Sequence, residues 1–176
     1  MSWIVDALCF VFLSVIIYQD FKYRQIAWVL LAALFVLFFV KSSFNKNPAE
    51  VFINILFSMA FIAIQLMLLT FYFSLRQKKI FNIVNTYLGL GDILFLIVLT
   101  ALFAPVNYIL FFITGMFITL AGYGIYIFIK KDMNYKIPLA GCLGMQLVIC
   151  FILQYPMALN FNNDDTIKNV LQQWMI

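Results

Sequence analysis

Six apolar runs, parted by short clusters of charge, leave this chain few ways to fold. Soluble domains carry roughly a quarter charged residues. Here 10% of the 176 residues are charged and 66% are hydrophobic. Too little polar surface exists to face water, and a backbone in lipid must satisfy its own hydrogen bonds. The pattern predicts an all-α polytopic membrane protein with six transmembrane helices, at about residues 3–19, 26–40, 51–75, 92–105, 108–129 and 137–155. The fourth run is short against the ~20 residues a span needs, so its helix is expected to begin before Asp92 and to hold that acid somewhat below headgroup level. Residues 1–158 read as one six-helix membrane core. Residues 159–176 read as an amphipathic tail on the membrane surface, with Ile167, Val170, Leu171 and Trp174 on one helical face and Asp164 and Asp165 able to cap its start.

Charge placement orients the bundle. If the segments alternate, Lys22, Arg24, Arg76, Lys78, Lys79, Lys130, Lys131 and Lys136 share one side, and Lys41, Lys46 and Lys168 the other. The richer side is expected to be cytoplasmic, with both termini outside the cytoplasm. The basic residues lie in short loops, so they mark topology and not nucleic-acid binding. The N-terminus lacks the basic start of a secretory signal, and the first run reads as a retained span.

The absence of histidine removes Ser-His-Asp and Cys-His catalysis and every histidine metal site. Cys9, Cys142 and Cys150 lie in apolar runs and form no Cys-x-x-Cys pair, so they read as packing residues. No metal and no cofactor is expected. Gln65, within the third run, reads as interhelical hydrogen-bond glue.

The acids are more informative. Asp20 closes the first segment and Asp92 opens the fourth, so alternation puts both at one membrane face despite their distance in sequence. Asp6, Glu50, Asp164 and Asp165 fall on the other. An acid within a membrane segment is expensive and marks a functional site by default. Gly89 and Gly91 remove side-chain bulk beside Asp92. Two carboxylates brought close hold one proton between them. The ionised member can take a proton from an attacking water, and the protonated one can polarise a carbonyl and supply the leaving amine. Taken singly, Asp20 beside Lys22 and Arg24 reads as an interfacial charge, and Asp92 as a helix cap or a partner of Lys79. Their shared face favours a functional pair.

Gly89-Leu90-Gly91-Asp92 matches the Gly-x-Gly-Asp motif of intramembrane aspartyl proteases. Asp20-Phe-Lys-Tyr-Arg24-Gln-Ile26 resembles the first-aspartate motif of the type IV prepilin peptidases, whose acids stand on the first and fourth core segments. Ile137-Pro138-Leu139 resembles a later Ile-Pro element of that family. The resemblance implies an aspartic endopeptidase that removes a basic leader from prepilin-like membrane precursors at the cytoplasmic face of the bacterial inner membrane. Asp20 and Asp92 would be its catalytic pair, with Arg24, Gly89 and Gly91 as substrate-binding or motif support. Two positions depart from the family pattern: Ala27 stands where proline is usual, and Leu94 where lysine is usual. The bifunctional members' cysteine-paired cytoplasmic domain has no counterpart, so no methyltransferase activity is expected. Gly-Leu-Gly-Asp and Pro138-Leu139-Ala140 also resemble elements of the presenilin-type proteases, whose acids lie on adjacent segments. Outside the protease class, the alternatives are a catalytically silent relative or assembly factor, and a small transporter using Asp92 as an ion site.

Overall fold

The computed structural model describes residues 2–44, 46–77, 89–130 and 138–157, with Phe161 and Asn163. Among the described residues all regular structure is helical: α1 (Ser2–Tyr23), α2 (Trp28–Ser43), α3 (Pro48–Gln77), α4 (Leu90–Leu99), α5 (Pro105–Lys130) and α6 (Leu139–Met157). α1, α3 and α5 are long and apolar enough to cross a membrane, whereas α2, α4 and α6 are shorter apolar helices. Large apolar side chains such as Trp3, Met67, Phe117 and Phe128 cover the outside. A water-soluble monomer rarely exposes such a surface, and a lipid-facing one requires it. The chain is thus a multi-pass, all-α membrane protein.

The helix boundaries follow from local chemistry. Proline opens α3 and α5, where a first-turn residue has no N–H partner to lose. The Asn47 carbonyl accepts the N–H groups of Glu50 and Val51 at the start of α3. α1 ends on Arg24, whose φ of 52° is left-handed and whose N–H returns to the Asp20 carbonyl at 3.0 Å. This is an αL cap built without glycine, so a side chain carries the strain.

Alternation of direction is visible in the contacts. At one end of the bundle Lys41 of α2 pairs with Asp6 of α1 at 2.5 Å and reaches Gln154 of α6 at 3.4 Å. The same ammonium stands 4.1 Å from the Phe151 ring centroid. Near it the Ser42 hydroxyl donates to the Ala101 carbonyl just past α4. α1 therefore runs away from this end, and α2, α4 and α6 run toward it.

α4 is the hub. It packs against α2, α3 and α6, and the buried Tyr108 of α5 donates to its Leu96 carbonyl. Helix begins at Leu90, two residues before Asp92, and ends at Leu99. Ten residues rise about 15 Å, half a hydrocarbon core. The chain then passes through residues 100–104, all buried. Non-helical backbone beside lipid is tolerated where protein covers it.

Glycines set the closest helix approaches. A Cβ added at Gly144 would stand 2.9 Å from Ile17, and one at Gly115 would overlap Leu143 and Gln146. Small residues thus bring α6 against α1 and α5. The Gln65 side chain bonds no other described residue; interhelical bonding falls instead to Gln146, whose amide donates to the Phe111 carbonyl and to Thr114 Oγ1. Phe161 docks on the bundle, its carbonyl accepting the Ala104 N–H and the Asn107 amide. The tail face from Ile167 to Trp174, its caps Asp164 and Asp165, and the loop charges Lys78, Lys79, Lys131, Asp132, Lys136 and Lys168 lie outside the described residues.

Candidate active site

At the other end of the bundle three helix ends converge. α1 delivers Asp20 in its last turn, and α4 delivers Asp92 in its first. α6 begins between them. Its first N–H groups have no partner within the helix and must find acceptors elsewhere. The Ala140 N–H donates to Asp92 Oδ1 at 3.0 Å, and the next one, Gly141, donates to Asp20 Oδ2 at 2.5 Å. Two consecutive amides of one helix turn therefore hold two carboxylates that lie 72 positions apart in the chain. Both carboxylates are thus anchored on one turn of α6, at amides one residue apart.

Each acid is held further on its own side. Asp92 occupies the third position of α4, and its own N–H donates to the carbonyl of Gly89, the N-cap, at 3.1 Å. Gly89 leaves room for the Asp92 carboxyl: an added Cβ would stand 3.1 Å from Asp92 Oδ2. Gly91 faces Ile26, which would meet an added Cβ at an ordinary 3.6 Å. The Ile26 of the first motif thus rests on the glycine of the second. Asp20 is buried, only 5% exposed. Gly141 lies against it, and a Cβ there would stand 2.8 Å from the Phe21 ring and 3.0 Å from Asp20 Oδ2.

The basic neighbours divide. Lys22 turns away from Asp20 and donates to Tyr18 Oη at 2.6 Å, between the Tyr18 and Tyr23 rings. The exposed Arg24 follows Asp20 by one helical turn, its N–H on the Asp20 carbonyl. Ala27 is extended, at φ −66°, and its N–H donates to Gln19 Oε1 at 3.1 Å. A proline would fit that φ but could not make the bond. Leu94 is an exposed residue in the second turn of α4.

All five residues singled out from the sequence, Asp20, Arg24, Gly89, Gly91 and Asp92, lie at this end of the bundle. Ala140 and Gly141 were missed as acid-holding residues. Their contribution is backbone N–H, which any residue but proline can supply, so only the start of a helix after Pro138 could have hinted at it.

Helical architecture and site together define a class: a multi-pass membrane protein in which two carboxylates from separate helices meet at a third helix's N-terminus. Its family can be stated as well. The chain belongs to the type IV leader peptidase family, whose sequence model matches residues 7–129, a stretch that includes Asp20, Arg24, Gly89, Gly91 and Asp92 and ends before α6. No curated protein and no solved structure matches the chain.

Proposed function

We propose that this protein is an intramembrane aspartic endopeptidase that removes a basic leader from prepilin-like membrane precursors. The observation that carries the reading is the capture of Asp20 and Asp92 by adjacent amides of α6. Family membership supports it independently. Asp20 and Asp92 are the catalytic pair; one carboxylate takes a proton from the attacking water while its protonated neighbour hydrogen-bonds the scissile carbonyl. The roles exchange as the amine departs. The bonds from Ala140 and Gly141 leave each acid an oxygen for this work and fix the orientation of both. Arg24, Gly89 and Gly91 support the pair: Arg24 by charge beside Asp20, the glycines by the space they leave.

All six helices cross or enter the bilayer in this reading. The end holding the acids is cytoplasmic, in a bacterial inner membrane, and both termini lie outside. A basic leader would then meet the acids from the cytoplasm while the precursor's apolar helix stays in lipid.

Purified protein in lipid vesicles, incubated with a precursor carrying a basic leader and an apolar helix, tests the proposal. The wild-type chain should cut at one position near the start of the apolar helix. Asp20→Asn and Asp92→Asn should each lower the rate by about 10²–10⁴-fold, the usual weight of a general acid or base. Full cleavage by either variant would remove that residue from the mechanism, and solute flux abolished by Asp92→Asn alone would favour a transporter.

A further inference from the structure

A groove of about 570 Å³ runs between α5 and α6; neither acid lines it, but Phe21, the chain neighbour of Asp20, does. Phe21, Pro138 and Cys142 line it, and Phe21 lies against Gly141, whose amide holds Asp20. Along α6 the groove extends from Pro138 to Cys150. As helix, that stretch is roughly 18 Å long. Among the described residues no charged side chain lines it.

Two features of its wall have no use inside the described fold. The first is Gly122. Gly115, Gly141 and Gly144 are required because a Cβ at each would collide with a neighbour, but a Cβ at Gly122 would meet nothing within 4 Å. A glycine inside a helix is destabilising, and in membrane helices small residues let another helix approach closely. Among the described residues no side chain or backbone comes within 4 Å of that point. The second is Thr119. The helical hydroxyls of Ser14, Ser43, Thr70 and Thr114 all bond back to a carbonyl four residues earlier. Thr119 is 7% exposed and lines the groove. Among the described residues its hydroxyl has beside it the Cys142 thiol and makes no standard hydrogen bond. A thiol is a weak partner.

We infer that this groove receives the apolar helix of the substrate, packed against Gly122 and Thr119, so that the peptide bond preceding that helix arrives at Asp20 and Asp92. The inference rests on the protease reading and adds the surface that recognises the substrate. About three helical turns fit along the groove, so recognition lies in the helix as well as in the leader. A lipid chain is the competing occupant.

Photocross-linking decides between them without any need for cleavage. A photoreactive residue replaces Gly122, or in a control the exposed Phe117 of the same helix, in the full-length Asp20→Asn, Asp92→Asn double variant in vesicles. The precursor's apolar helix should be captured from position 122 and not from 117. Kinetics supply the second measurement. Gly122→Leu should lower kcat/KM for the helix-bearing precursor about tenfold through a raised KM, and leave cleavage of a short peptide without the helix unchanged. Gly124→Leu, equally open but off the groove, should match wild type on both. Absence of a cross-link at 122, or wild-type kinetics for Gly122→Leu, would assign the groove to lipid and overturn the inference while leaving the protease reading intact. Failure of the wild-type chain to cut any precursor would overturn the protease reading instead, and the cross-link would still decide the groove.

Discussion

At the residue scale, the site depends on atoms that are missing as much as on those present. Gly141→Ala should be the most damaging of the glycine changes near the acids, because its methyl would push both the Phe21 ring and the Asp20 carboxylate. Overpacking of this kind costs about 1–3 kcal/mol, and a displaced catalytic group should cost activity beyond that. Thermal unfolding in detergent and the cleavage rate, measured together, separate the two effects. Gly89→Ala and Gly91→Ala offer a sharper contrast. The first crowds Asp92 Oδ2 at 3.1 Å; the second makes ordinary contact with Ile26. Cleavage should fall at least tenfold more for Gly89→Ala, and equal losses would show that both glycines act through something other than the room left for Asp92. Ala27→Pro probes a departure from the family pattern. Proline suits the φ of −66° at this position. It also restricts the unfolded chain, gaining about 0.5 kcal/mol. Against that, it forfeits the bond to Gln19. Such a bond is worth about 1 kcal/mol. The net change in stability should stay within about 1 kcal/mol, measured by chemical unfolding.

At the element scale, the two ends of the bundle do different work. One end gathers the acids; the other is pinned by Lys41, Asp6 and Gln154, which tie α2, α1 and α6 together. The paired side chains are only 12% and 14% exposed. Breaking such a pair from one side leaves a charge stranded, and after allowance for its partial exposure Lys41→Met should cost about 2–3 kcal/mol. Because the pair lies at the far end, the surviving folded protein should keep its cleavage rate. A lower melting temperature with unchanged kcat is the expected result; a lost kcat at full stability would mean the ends are coupled. α4 makes a related point. An apolar helix this short cannot cross a bilayer alone. It is stable here because its neighbours and residues 100–104 are buried around it.

At the scale of the whole molecule, the prediction concerns sidedness. Replacing the native cysteines and introducing one at Lys22 or at Asn47 places a thiol at opposite ends of the bundle. A membrane-impermeant thiol reagent should label Lys22→Cys from the cytoplasmic side alone and Asn47→Cys from the outer side alone. Labelling of both from one side would break the alternation on which the shared face of Asp20 and Asp92 depends.

Much of this architecture was legible in the chain itself. Lipid forbids unsatisfied backbone, so long apolar runs must be helices, and alternating helices put Asp20 and Asp92 at one end whatever their partners. The short fourth run already signalled that its helix starts before Asp92, and it starts at Leu90. Side-chain chemistry is written in the sequence, and these features rest on it. What only the tertiary structure decided is how the acids are held and what lies beside them. The amides of Ala140 and Gly141, the strained Arg24 cap, the bond from Ala27 to Gln19 and the open space over Gly122 all involve backbone or its surroundings. Backbone groups are the same at nearly every position, so their roles follow from where helices end and cross, and that is settled only when the bundle packs.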